Sequence, residues 1–159
     1  MKKMLVSIDG SECSLRAVEY AGKQFSGMSD LQITLLHVLP YPPAPLWDEG
    51  HIPTKEEEEE RERAMERWLA GQLAETEPLF DKAVAILTDA DISLTQLTKK
   101  VISDSTDVAG SILEEARDGG YQTLVVGRCG LSTVKKFFMG SVTTNVINHG
   151  AGVAICVVE

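Results

Sequence analysis

Short apolar runs alternate with helical patterns along this chain, and few architectures accommodate that order. Met4 to Ile8 is an apolar run that stops at Asp9-Gly10-Ser11. Leu15, Val18, Gly22 and Phe25 then recur at spacings of three and four, which lines one face of a helix, and Gly27 follows as a stop. Ile33 to Val38 is a second, nearly continuous strand pattern. Leu94 to Ile102 is a third, with looser alternation, and Thr123 to Val126 and Val153 to Val158 are the fourth and fifth. Strands apolar throughout, rather than on alternate residues, belong to a sheet covered on both faces, and such sheets are usually parallel. Strand and helix in strict alternation give the doubly wound α/β pattern, with right-handed crossovers placing helices on both faces.

The helical segments carry their own punctuation. Ser105 is placed to cap a helix bearing Val108, Ala109, Ile112 and Ala116, closed by Gly119-Gly120. Ser141 opens another, with Val142, Val146 and Ile147 on one side and Gly150 at its end. The longest helical stretch runs from about Lys55 to Leu87. Pro78 inside it either kinks one helix or starts a second, and the pattern leaves both open. The acidic run Glu56 to Glu60 reads as a solvated helix start, favoured by the positive end of the helix dipole. Pro40, Pro42, Pro43, Pro45 and Pro53 mark a long loop before it.

A length of 159 residues suits one domain, residues 1–159. With 43% hydrophobic and 25% charged residues, disorder, collagen-like repeats and coiled coil are excluded as readings. A formal net charge of −9 argues against nucleic acid and anionic membrane surfaces as partners. No apolar run approaches the roughly 20 residues that cross a bilayer. The first apolar stretch stops at Asp9, short of a signal-peptide core. Cys13, Cys129 and Cys156 are odd in number and lack CxxC spacing. That pattern suits a reducing cytoplasm better than a disulfide framework or a zinc site.

The sharpest chemical signal lies in the last third. Gly127, Gly130 and Gly140-Ser141 follow a strand and open a helix. Glycines let a ligand approach the backbone closely, successive N–H groups in such a turn form an anion nest, and a helix N-terminus favours phosphate. Ser141, Thr143 and Thr144 supply hydroxyls, and Lys135 and Lys136 supply positive charge. Asp9 ends the first strand, where it is suited to accept hydrogen bonds from ribose hydroxyls. In doubly wound folds these loops share the carboxyl end of the sheet with Val38-Leu39-Pro40, where ligands bind. Each feature also has an ordinary structural use: glycines turn chains, Ser141 caps a helix, and Asp9 starts one.

These residues resemble the universal stress protein family over nearly the whole chain. The resemblance includes Val6-Ser7-Ile8-Asp9-Gly10-Ser11-Glu12, Leu35-Leu36-His37-Val38, and Val125-Val126-Gly127-Arg128-Cys129-Gly130 through Gly140-Ser141-Val142-Thr143-Thr144-Asn145-Val146-Ile147. The spacing G-x2-G-x9-G-[ST] matches the family's ATP-binding motif. The resemblance implies a Rossmann-like, five-stranded parallel sheet in the order 3-2-1-4-5, of the adenine nucleotide alpha hydrolase-like type. It implies ATP as cofactor, with Mg2+ as a companion. Ser7, Ile8 and Asp9 would then lie against the ribose or a phosphate-bound cation, and Val38 against the adenine edge. Val126, Gly127, Arg128 and Gly130 would wrap the ribose and phosphates, and Gly140, Ser141, Val142 and Thr143 would hold the phosphates. The family habit also implies a homodimer through Val153 to Val158. The departure is Arg128-Cys129, where relatives often carry Ser followed by His or Arg.

The reading that follows is a cytoplasmic adenine-nucleotide sensor or regulator. A slow ATPase or another adenine-nucleotide-processing enzyme is the main alternative, although no Walker GxxxxGK[ST] motif is present. His37, His51 and His149 are scattered and form no catalytic set, so no catalytic residue and no protein-held metal is expected. Cys13 and Cys156 sit on core-facing patterns and are expected to be inert. Cys129 beside Arg128 leaves a redox role as an alternative. A flavin binder lacks a phosphate loop after the first strand, and a phosphoacceptor domain would need more acids than Asp9 at the strand ends.

Overall fold

Among the described residues, five strands pair into one all-parallel sheet: β1 (Lys2–Ser7), β2 (Leu31–Val38), β3 (Leu97–Ile102), β4 (Thr123–Gly127) and β5 (Ala154–Val158). Their order across the sheet is β3-β2-β1-β4-β5, which is the order expected from the family resemblance. The structure, a computed structural model, describes residues 2–46, 50, 52–103, 105–130, 139–150 and 152–159.

Helices α1 (Glu12–Phe25), α2 (Lys55–Asp89), α3 (Val108–Asp118) and α4 (Ser141–His149) cover both faces. The alternation of side chains along a strand divides the core into two layers. Met4 and Val6 of β1, with Ile8 just beyond it, pack with Val18 and Ala21 of α1 and Phe80 and Leu87 of α2. Leu5, between them in sequence, packs on the other face with Ile112 and Ala116 of α3 and Val146 of α4. Each fully buried Leu or Phe contributes about 1.5–3 kcal/mol by leaving water, so these layers dominate the stability. The central strands were legible because both of their faces are apolar.

Helix α2 settles the question posed by Pro78: one helix runs unbroken from Lys55 to Asp89 with the proline inside it. Pro78 is exposed, so water can take the carbonyl partner that the missing N–H would have served. The acidic run begins this helix as expected, and Glu57 completes a capping box with Thr54. The Thr54 N–H donates to Glu57 Oε2 at 2.7 Å, and the Glu57 N–H donates to Thr54 Oγ1 at 3.3 Å.

Two boundaries differ from the sequence reading, while the opening of the last helix matches it. Leu94–Gln96 is a short 3-10 turn rather than strand, because Gln96 Nε2 turns back to donate to the Met28 and Leu31 carbonyls, each at 2.9 Å. The residue capping α3 is Asp107, not Ser105. Ser105 is instead buried and accepts from Ser111 Oγ at 2.7 Å. Ser141 is the first residue of α4, whose cap is Gly140.

Edge strand β3 carries adjacent lysines that point to opposite faces. Lys99 Nζ reaches Glu77 (2.6 Å) and Asp81 (3.2 Å) of α2, and lies over the Phe80 ring at 5.8 Å. Lys100 Nζ reaches Glu115 of α3 at 2.6 Å. One short strand thus ties down a helix from each layer.

Candidate functional site

A cleft of about 580 Å³ opens at the carboxyl end of the sheet, where doubly wound folds bind ligands. Its walls come from the β1–α1 turn, the end of β2, the β4 loop and the start of α4. Ser7, Ile8, Asp9, Val38, Val126, Gly127, Gly130, Gly140, Ser141, Val142 and Thr143 all line it. The sequence reading had grouped these residues, and the fold brings them to one place.

The β1–α1 turn is built around Asp9. Its Oδ1 accepts from the Ser11 N–H at 3.0 Å and from Ser11 Oγ at 2.6 Å. Ser11 in turn caps α1, accepting from the Ser14 N–H at 3.1 Å. Asp9 therefore has the local helix-start role considered from sequence and also faces the cleft. A Cβ added at Gly130 would stand 2.8 Å from Asp9 Oδ2, so the bare glycine is what allows the two loops to meet.

The two halves of the glycine motif are stitched by hydrogen bonds to backbone carbonyls. The Gly140 N–H donates to the Arg128 carbonyl at 2.9 Å, and Thr143 Oγ1 donates to the Gly127 carbonyl at 2.8 Å. Gly127 itself sits against α1: a Cβ there would lie 2.6 Å from the Cys13 carbonyl carbon. Gly140 provides no side-chain cap, so no side chain of the cap competes for the first N–H groups of α4 beside the cleft.

Arg128 stands apart from the other candidates. It is absent from the cleft lining; its Nε lies 3.3 Å from Glu159 Oε1, and its N–H donates to the Val158 carbonyl at 2.7 Å. The Thr143 hydroxyl, read from sequence as a phosphate donor, is engaged with Gly127. Lys135, Lys136 and His51 lie outside the described residues. His37 joins the cleft and places Nδ1 2.8 Å from the Ile8 carbonyl, while His149 is exposed, with Nδ1 3.0 Å from the Asn145 carbonyl.

Sequence reasoning missed one wall entirely. Gln72, Glu75, Thr76, Leu79 and Lys82 of α2 line the cleft. They recur at three- and four-residue spacing, a stripe on one helical face, which was the available signal. Lys82 is a cation at the cleft that the glycine motif did not point to.

The cysteines require a correction. Cys13 and Cys129 form a disulfide, with Cα atoms 5.7 Å apart, where the odd count and absent CxxC had argued against any pairing. Their sequence separation of 116 hides a proximity that α1 packing on the end of β4 creates. Cys156 is the free thiol and is partly buried. Beside it, the Tyr20 hydroxyl is held above its ordinary pKa by a hydrogen bond with Cys156.

The model of the Universal stress protein family matches residues 1–152. The chain belongs to the universal stress protein family. Comparison with curated proteins finds no match. Solved structures of similar architecture include that of hypothetical protein MJ0577, 25% identical, with a TM-score of 0.68 over 99% of this universal stress protein and 94% of that chain. A universal stress protein in complex with cAMP is 22% identical, with a TM-score of 0.61 over 99% of this chain and 96% of the other. A universal stress protein family protein from Arabidopsis thaliana with AMP bound is 18% identical, with a TM-score of 0.62 over 99% and 91%. Helix α2 is the longest element of this family member, and none of the described helices is long and apolar enough to cross a membrane.

Proposed function

We propose that this universal stress protein binds an adenine nucleotide, ATP in the first place, and acts as a cytoplasmic sensor or regulator rather than as a fast catalyst. The observation that carries the reading is the convergence of Asp9, the Gly127–Gly130 loop and the Gly140–Ser141 helix start on one cleft. Two structural neighbours hold adenine nucleotides, cAMP in one and AMP in the other, which supports the base assignment. Residues 1–159 form a single domain on this reading.

The parts divide by chemistry. Ser7, Ile8 and Asp9 face the ribose or a cation carried by the phosphates, and the backbone of Val38 reads the adenine edge. Val126, Gly127, Gly130, Gly140, Ser141, Val142 and Thr143 enclose ribose and phosphates, with the first N–H groups of α4 turned to the phosphates. Arg128 shapes this wall rather than touching the nucleotide: its side chain is directed to Glu159, its N–H to the Val158 carbonyl, and its carbonyl accepts from the Gly140 N–H. Among the described residues no group of three or more His, Cys, Asp or Glu side chains gathers to hold a metal. Mg2+ fits as a companion of the triphosphate, because it keeps several waters and needs only one or two protein carboxylates, of which Asp9 is one.

A homodimer through Val153 to Val158 belongs to the same proposal. Edge strand β3 is protected by Lys99 and Lys100, the usual device against unwanted pairing, whereas β5 (Ala154–Val158) carries no charge. A two-fold axis beside β5 lets one strand pair with its own copy. No nucleic-acid or membrane partner is included.

The test is to denature protein purified from cells and identify the released small molecule, followed by calorimetry with ATP, AMP and GTP. Release of an adenine nucleotide and tighter binding of ATP than GTP is the expected result. Equal heats for ATP and GTP, or none for either, would overturn it.

A further inference from the structure

The Cys13–Cys129 bond joins two of the loops that form the cleft. Cys129 is the residue before Gly130 and lines the cleft, while Cys13 is buried as the second residue of α1. The same two loops meet at two other points: Ser11 Oγ donates to the Cys129 carbonyl at 3.3 Å, and Gly130 abuts the Asp9 carboxylate. In a reducing compartment a disulfide of this kind is transient and regulatory rather than a permanent staple.

We propose that Cys13 and Cys129 are a reversible redox site, opened and closed by small thiols and disulfides entering through the cleft, and that the closed bond tightens nucleotide binding. The proposal rests on the nucleotide reading for its second half only.

The geometry gives the step a direction. An incoming thiolate reaches Cys129 Sγ, the sulfur on the cleft side. It forms a mixed disulfide there as the Cys129–Cys13 bond breaks, and the electron pair leaves on Cys13. That thiolate is released beside the Arg16 guanidinium, whose Nη2 lies 3.1 Å from Cys13 Sγ, and near the N-terminus of α1; both favour negative sulfur. A second thiol attacks the mixed disulfide, freeing Cys129 and a small-molecule disulfide. Closure is the reverse reaction, with the small disulfide as oxidant and two small thiols as products.

The cleft is open with the bond closed, so the bonded form is the preorganised one and ligand binding need not order the two loops. Linkage is reciprocal: nucleotide must favour closure of the bond by the factor by which closure favours nucleotide.

The full chain is equilibrated in buffers of reduced and oxidised glutathione, alkylated, and weighed. All three cysteines should be alkylated in the reduced form, and only Cys156 after oxidation. Calorimetry with ATP and with AMP should show binding about fivefold or more tighter to the oxidised form. Neither Cys13→Ser nor Cys129→Ser should gain affinity in the oxidised buffer, and saturating nucleotide should shift the glutathione midpoint of wild type towards the bonded form. Failure of oxidised glutathione to remove two alkylation sites overturns the redox site, whatever the nucleotide result. Equal affinity of both forms overturns the coupling. No binding by either form overturns the proposed function and the coupling together, while the alkylation count still decides the redox site.

Discussion

Gly130 and Asp9 meet closely: a Cβ on Gly130 would lie 2.8 Å from Asp9 Oδ2, nearer than a side-chain carbon and a carboxylate oxygen normally approach. The carboxylate must move to admit any side chain, and its other oxygen is committed to Ser11. Gly130→Val is therefore expected to displace Asp9 and weaken ATP binding at least tenfold, about 1.4 kcal/mol. Titration calorimetry checks it, with circular dichroism to show the fold intact. Wild-type heats in the variant would remove this loop from the site.

Asp9→Asn separates the two roles of Asp9. Asparagine keeps an oxygen for the Ser11 N–H and so preserves the turn. It loses the charge that would face a ribose or a phosphate-bound cation. The fold should persist, with a stability loss of about 1 kcal/mol for the weakened hydrogen bonds from Ser11. ATP affinity should fall about tenfold or more, because a hydrogen bond to a charged group is worth roughly 1.5–3 kcal/mol. Equal affinity by calorimetry would leave Asp9 as a turn residue alone.

Lys99 predicts a pH dependence of stability. Hydrogen bonds to Glu77 and then Asp81 raise its pKa above the ordinary lysine value. A raised folded pKa means that the contribution is complete below the unfolded value, near 10.4, and is lost as pH climbs through the folded one. Lys99→Gln should thus be less stable than wild type at pH 8, with the difference shrinking as the pH climbs past the raised folded value. The pair is exposed, so the difference should not exceed about 1 kcal/mol. Urea unfolding at pH 8 and at rising pH measures it; a difference that persists undiminished at high pH would contradict the ion pair as its cause.

The dimer can be tested on the outward edge of β5. The Ala154 N–H donates to the Gln122 carbonyl, and the Val158 carbonyl accepts from the Arg128 N–H. By the alternation of a parallel ladder, the backbone of Ile155 and Val157 then faces away from β4. Val157→Pro removes one outward N–H while leaving the bonds to β4. Ile155→Lys is a poorer probe, because it puts a charge into the layer with α3 and α4, where Val157 also packs, and beside Gly150. Light scattering should give twice the 17.3 kDa chain mass for wild type and a shift towards one chain for Val157→Pro. A single-chain mass for wild type at micromolar concentration would rule the dimer out.

The sequence by itself determined the parallel α/β sheet, because a strand apolar on both faces and a helix with an apolar stripe are local patterns with few global solutions. It also determined the glycine and helix-start elements of the cleft, since turns and caps depend on residues within a few positions of one another. Distances between remote segments were decided by tertiary structure alone. Helix α1 packing against β4 brought Cys13 to Cys129 across 116 residues, which no spacing rule encodes. The lie of α2 over the sheet turned Gln72, Thr76 and Lys82 from an unremarked polar stripe into a wall of the cleft. The position of β3 at the sheet edge, between α2 and α3, gave Lys99 and Lys100 separate acidic partners on opposite faces. Arg128 went to Glu159 because the register of β4 on β5, with Gly127 opposite Val158, sets the next residue of each strand side by side. Local chemistry chooses the elements, and the stacking of those elements chooses which distant side chains meet.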